Sequence, residues 1–202
     1  MKAWVSLVMI GLYFVSGNAS AKEGVSKKID IKGKWASEIC EFSQNPNGTK
    51  IFYKRLFTIT DKTWAMDFST FGDANCSEST KLLTVDTGGK YKLGKESLAP
   101  GGTEGEFMFS HRKVTPKAKE NIAWLNSSKI CGFADWTAGK AKDLQKTGCA
   151  QFGAYPLKDC KGEYDIVKLE GNKLYFGARP ADSNLCSADR RAKEFGAPLI
   201  KM

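Results

Sequence analysis

Histidine is almost missing from this chain: His111 is the only one in 202 residues. Any Ser-His-Asp or Cys-His nucleophile would have to be built on it. It lies in Phe109-Ser110-His111-Arg112, among polar neighbours and without a nucleophile elbow, so it reads as a structural or surface residue. The same scarcity argues against a histidine-based zinc centre. No two cysteines fall at Cys-x2-Cys or Cys-x4-Cys spacing; the nearest pair, Cys149 and Cys160, is eleven apart. No EF-hand loop occurs, and Gly88-Gly89 and Gly101-Gly102 read as turns rather than phosphate cradles. Neither a metal nor a cofactor is expected. Arginine-rich patches interleaved with aromatics are also lacking, so nucleic acid is not an expected partner.

Long apolar runs are missing too, with one exception. Lys2 followed by the apolar run Val5–Val15 and the small residues Ala19-Ser20-Ala21 reads as a signal peptide over 1–21. No second such run follows, so the chain is not expected to span a membrane after cleavage. Residues 22–202 are then read as a single domain, secreted or periplasmic. All six cysteines, Cys40, Cys76, Cys131, Cys149, Cys160 and Cys186, lie in it. An even count in an exported chain predicts three disulfides, with fifteen possible pairings.

What is plentiful is lysine and alternation. The formal charge is +9, one less once Lys2 leaves with the signal. The lysines cluster at Lys27-Lys28, Lys113–Lys119 and Lys140–Lys146. They read as a solvated face, with an anionic lipid surface or an acidic protein as possible partners. Gly33-Lys34-Trp35-Ala36-Ser37-Glu38-Ile39-Cys40-Glu41 reads as a first strand. Trp35, Ser37 and Ile39 share one face of it, and Gly33 leaves room where it begins. Thr49–Thr60 and Thr63–Phe71 form an antiparallel pair around Asp61-Lys62. In the second of these, Trp64, Met66 and Phe68 alternate against Ala65 and Asp67.

Farther on, Thr80–Asp86 and Lys90–Lys95 read as a hairpin turning at Thr87-Gly88-Gly89. Glu104–Val114 alternates through Phe107 and Phe109. Asn121–Leu125 is read as a strand, with a short helix over Lys117–Asn126 as the alternative. The lysine-rich piece Lys140–Lys146 suits a short helix or an ordered loop. Tyr164–Leu169 and Lys173–Phe176 flank the hairpin signal Glu170-Gly171-Asn172. The pattern predicts an all-β, antiparallel barrel of eight or nine strands, closed or partly open, with one short helix. A barrel of that size has room for side chains or for a small ligand. Phe57, Trp64, Phe68, Phe107 and Phe109 are the candidate ligand-binding walls, or else ordinary core.

Carboxylates offer the only enzymatic alternative, because a hydrolase could use two of them across a cleft. Glu38, Glu41, Asp67, Asp73, Glu104 and Glu106 fall within the candidate barrel. Glu104 and Glu106 share a face, and that face is read as outward.

One set of spacings resembles a known family. Gly33-x-Trp35-x-Ser37-x-x-Cys40-Glu41 is followed by Lys54-Arg55-x-Phe57, Asp73-x-x-Cys76, Gly89-x-Tyr91-x-Leu93 and Gly102-Thr103-Glu104. This order resembles the domain of the adenomatosis polyposis coli down-regulated protein 1 family over residues 33 to 115, more weakly beyond Cys131. Animal members of that family are membrane-anchored Wnt inhibitors. The resemblance implies a lipocalin-like barrel with an apolar pocket for acyl chains, a Cys40–Cys76 disulfide, and Trp35 packed at the closed end. It also implies a late basic residue against that tryptophan, a part assigned to Arg190 or Arg191. The preferred disulfide set adds Cys131–Cys149 and Cys160–Cys186, which no motif dictates. The expected function is non-enzymatic binding of a small hydrophobic or lipid-like ligand inside an exported barrel. The alternative is a protein-interaction or inhibitor module of the cell envelope.

Overall fold

The structure is a computed structural model and describes residues 29–44 and 48–202. The expected signal segment, 1–21, and most of the turn at 45–48 lie outside the described residues.

Eleven strands form among the described residues, the longer of them from the segments read as apolar and polar in alternation. The first half of the chain supplies β1 (Gly33–Ala36), β2 (Glu41–Gln44), β3 (Lys50–Ile59), β4 (Thr63–Phe71) and β5 (Lys81–Glu96). The second half supplies β6 (Thr103–Met108), β7 (His111–Pro116), β8 (Lys142–Asp143), β9 (Gly162–Glu170), β10 (Lys173–Phe176) and β11 (Leu199–Lys201). Eight of them close a ring in the order β1-β3-β4-β5-β6-β9-β10-β11 and back to β1, every neighbour antiparallel. Closure leaves this ring without an edge strand. The upper halves of β3, β4 and β5 continue past the ring as an open sheet, extended by β2 on one side and by β7 and β8 on the other.

The longest strand is where the sequence reading fails. Lys81–Glu96 runs unbroken through Thr87-Gly88-Gly89, where a turn was expected. The glycines serve close approach instead. A Cβ on Gly88 would sit 2.5 Å from the Trp64 carbonyl oxygen, and one on Gly89 would overlap that of Met108. The alternating segment 104–114 divides between β6 and β7 at Phe109-Ser110. Both parts pair with β5, but β6 pairs with β9 on its other side and β7 with β8.

Residues 121–125 are not a strand. They belong to α1 (Ile122–Ser127), entered through a 3-10 turn at Lys119–Asn121. Leu125 is buried there and Ile122 packs on the same cluster, the i,i+3 spacing of a helix face. Lys140–Lys146 forms no helix, because Lys142-Asp143 pairs with Val114 and Lys113 of β7. Ile39 does not share the inward face of Trp35: β1 ends at Ala36, and Ile39 is 71% exposed.

All three disulfides form as preferred: Cys40–Cys76, Cys131–Cys149 and Cys160–Cys186. They fit an oxidising compartment outside the cytosol. Among the described residues, no helix is long and apolar enough to cross a membrane.

Apolar burial divides into two clusters. The first fills the barrel and includes Trp35, Phe57, Ile59, Trp64, Phe107, Val167, Leu174, Phe176 and Leu199. The second, a satellite, lies between the open sheet and the 119–154 segment, with Val114, Leu125, Ile130, Trp136 and Leu144 at its centre. The Cys131–Cys149 disulfide staples that satellite.

Candidate functional site

The candidate ligand walls separate into two groups according to height in the barrel. Three lie in the packed interior. Phe57 stacks on Phe176 at 4.5 Å between ring centroids, Phe107 meets Phe176 edge-on at 5.4 Å, and Trp64 meets Phe107 edge-on at 5.5 Å. Such contacts make one continuous aromatic plug. Below it Trp35 is 1% exposed and donates from Nε1 to the Ile31 carbonyl at 2.8 Å, sealing the lower end. The surfaces of Phe57, Trp64 and Phe107 are therefore spent on each other. Two recesses formed by described residues lie outside the barrel, one against the Cys131–Cys149 staple and one between residues 78–81 and 117–120.

The cation over Trp35 is neither Arg190 nor Arg191. Lys201 Nζ lies 5.5 Å from the tryptophan ring. Arg190 bonds to Asp182 and the Asn184 carbonyl, in a loop outside the barrel. Arg191 donates to the carbonyls of Gly105 and Asp165 at 2.8 and 2.7 Å, binding the C-terminal segment to β6 and β9. Chain order explains the exchange: β11 pairs with β1 through Trp35↔Lys201, so the final strand brings its own lysine to the tryptophan.

Phe68 and Phe109 remain partly accessible at the upper mouth. Cross-strand register stacks three rungs there. The lowest is Phe57–Met66–Thr87–Arg112, the next Arg55–Phe68–Val85–Val114, and the highest Tyr53–Thr70–Leu83–Pro116. The satellite covers the β5–β7 half of these rungs through Leu83, Val85 and Val114. The β3–β4 half carries Tyr53 stacked on Phe68 at 5.0 Å, and neither ring belongs to either core. Phe109 lies nearer the plug, 5.9 Å from Trp64, with the Arg112 guanidinium 3.8 Å above its ring.

Charged groups line this mouth, and sequence reasoning did not assemble them. Arg55 grips Glu41 in a fork, Nε to Oε1 at 2.9 Å and Nη2 to Oε2 at 2.8 Å, and also donates to the Ala197 carbonyl. Ser37 completes the unit: its hydroxyl donates to Glu41 and its oxygen accepts the Arg55 backbone N–H at 2.8 Å. Arg55 lies two residues before Phe57 and therefore on the inward row, and it also stands in the Lys54-Arg55-x-Phe57 motif, although neither signal named Glu41 as its partner. Burial and the Glu41 charge push the Tyr53 phenol up from its ordinary value.

Across the ring, Glu163 is the register partner of Phe107 and forms a fork with Arg179. Burial opposes ionisation of Glu163, but Arg179 and Arg112 outweigh it and hold the carboxyl below its usual value. Desolvation lowers the Arg112 guanidinium, which donates to the Tyr155 carbonyl at 2.7 Å. Asp165 is buried and pushed up to about 6, chiefly by desolvation, although its Oδ1 accepts the N–H groups of Ile166 and Gly177.

The six candidate carboxylates are not gathered in one cleft. Glu41 is tied to Arg55, and Asp73 is held by Asn75, Ser77 and Thr80 in its own loop. Glu38 is exposed. Glu104 and Glu106 pair with Arg191 and Lys92 on the outer wall. Asp67 faces Asp86 across β4 and β5, and burial with that like charge pushes it up. His111 Nε2 lies 3.1 Å from Asp86, with Ser110 Oγ 3.3 Å from Nδ1. The serine also donates to the Gly88 carbonyl at 3.0 Å, which makes the trio a brace between β5 and β7.

The fold and its mouth define a class: a closed, lipocalin-like antiparallel barrel with an aromatic interior and a charged rim, an architecture suited to binding. A family model described as adenomatosis polyposis coli down-regulated 1 matches residues 15–174, most of the 202-residue chain. The protein belongs to that family. The match extends well past residue 115, where the legible motifs thin out. It stops before β11, the strand that closes the ring.

Proposed function

We propose that this protein is a non-enzymatic binding module that takes an apolar or amphipathic ligand at the upper mouth of its barrel, above the aromatic plug. The observation that carries this reading is the Tyr53–Phe68 stack, an inward-facing aromatic pair that neither core claims. Apolar contact there would supply affinity at roughly 25 cal/mol per Å² buried. The Arg55–Glu41 fork below would meet a polar end, since both residues still have surface and hydrogen-bonding capacity. The ligand class expected from sequence is kept, and its place moves from a hollow interior to the mouth.

Native mass spectrometry with organic extraction, on mature protein purified from its own export compartment, tests the reading. A lipid co-purifying near one-to-one, with uptake of a fluorescent fatty acid falling about tenfold in Phe68→Ala, supports it. A clean apo mass with no uptake rejects it. The second reading then takes over: a module that meets a protein partner from outside, favoured by the filled interior.

A further inference from the structure

We propose that the outer surface of the satellite, around α1, docks on the surface of an anionic lipid bilayer. This rests on a different surface from the mouth and holds whether or not the mouth binds a ligand.

Trp124 sits on α1 and is 60% exposed, although the flanking Leu125 anchors the helix to the satellite core. Lysines surround it through chain geometry that the backbone fixes. The N–H groups of Lys117 and Ala118 bond to the Leu82 carbonyl, holding the entry to the helix at the top of β5. The Gly139 N–H bonds to the Pro116 carbonyl, which brings Lys140 beside Lys117. The N–H of Ser128 bonds to the Trp124 carbonyl and that of Lys129 to the Asn126 carbonyl, so Lys129 closes the other end. Lys117, Lys119, Lys129 and Lys140, all exposed, thus lie on the segments that lead into, follow and adjoin the helix carrying one exposed tryptophan. The acids nearby include Glu78, Glu120 and Asp135; Glu78 is already paired with Lys81 and Asp135 with Lys142.

The basic character continues toward the barrel mouth. Lys81, Lys117 and Lys119, with Glu78 and Glu120, line an open recess of about 500 Å³. Lys81 bridges Glu78 at 2.7 Å, and its Nζ lies over Phe71. Beyond the Cys40–Cys76 disulfide the same end of the sheet exposes Ile39 and Phe42, the latter with Lys50 Nζ 4.7 Å from its ring.

This composition fits a bilayer better than a protein groove. The exposed apolar side chains stand apart, Trp124 on α1, Phe42 on β2 and Ile39 in the segment between β1 and β2, rather than side by side on one element. An exposed tryptophan on a helix flanked by lysine-bearing segments matches the headgroup layer, where the indole sits at the interface and ammonium groups meet lipid phosphates. The net charge of +9 favours approach to an anionic surface.

The test is cosedimentation of the mature protein with phosphatidylcholine vesicles, with and without about 30 mol% phosphatidylglycerol. Binding is expected only with the anionic lipid and should fall off at about 0.5 M salt. Lys117→Glu with Lys119→Glu, and separately Trp124→Ala, are each expected to weaken it about tenfold. Leu98→Ala is the control: it alters an exposed side chain on the loop after β5, at the opposite end of that strand, and should change nothing. Absence of binding to anionic vesicles overturns the proposal, as does full binding by both the double-lysine variant and Trp124→Ala. An acidic protein captured while vesicles are ignored assigns the surface to that other class and equally overturns it.

Discussion

Asp165 shows how a single side chain can set the pH behaviour of this barrel. Its pKa, about 6 in the fold, stands above the ordinary 3.8. The folded state therefore binds the proton more tightly than the unfolded chain. This contribution is present in full below about pH 4 and is lost as pH rises through 6, amounting to about 3 kcal/mol. Urea midpoints measured at pH 5 and pH 7.5 should fall for the natural protein and stay nearly level for Asp165→Asn. Parallel slopes in the two proteins would dismiss the assignment.

The Arg55–Glu41 fork acts at the same scale but through charge pairing. Removing either partner leaves the other largely buried and unpaired, an expected loss of about 2–4 kcal/mol. The double Ala variant should cost less than the two single changes added together. A double-mutant cycle by denaturation measures that coupling, and simple additivity would mean the mouth is not held by this pair.

At the scale of elements, β5 carries the architecture because one strand serves both the ring and the open sheet. Its passage depends on the absence of a side chain at Gly88 and Gly89, where the Trp64 and Met108 carbonyls press close. Gly89→Ala should lower stability by about 1–3 kcal/mol or prevent folding, as overpacking does. A variant that melts with the natural protein would show that the strand relaxes there at no cost. The satellite is the second element to test. Replacing Cys131 and Cys149 together with Ala frees its staple, at an expected cost of about 2–4 kcal/mol. Amide exchange should accelerate across the 119–154 segment and leave β9 and β10 protected. Uniform acceleration would instead mean that the two cores unfold as one.

At the scale of the whole molecule, a closed ring with an aromatic plug leaves the mouth and the outer faces as the accessible surfaces for the binding proposed above. Phe57 and Phe176 stack at 4.5 Å, so enlarging the interior by Phe176→Ala should do one of two informative things. If the cavity stays stable and dry, fatty-acid uptake should rise, since apolar cavities accept apolar guests. If uptake instead falls with Phe68→Ala and is unmoved by Phe176→Ala, the mouth alone holds the ligand.

The sequence by itself determined where several strands lie, among them β3, β4 and the β9–β10 hairpin, with clean alternation in β4. It also determined which residues of β4 share a face, Trp64 with Met66 and Phe68. Periodicity can do this because side chains leave a strand on alternating sides whatever the strand packs against. It also favoured disulfides over a metal centre, through an even cysteine count without ligand spacing. Only the tertiary structure decided whether the inward face was hollow or filled, since that depends on volumes brought together from strands up to 119 residues apart in the Phe57–Phe176 contact. It alone decided that Gly88-Gly89 makes a close crossing, because the opposing carbonyls come from β4 and from the end of β6. The same holds for the charged mouth. Arg55 with Glu41, and Glu163 with Arg179, become partners only once β2 pairs with β3 and β10 with β9, because the pairing register, not a local pattern, decides which charges meet.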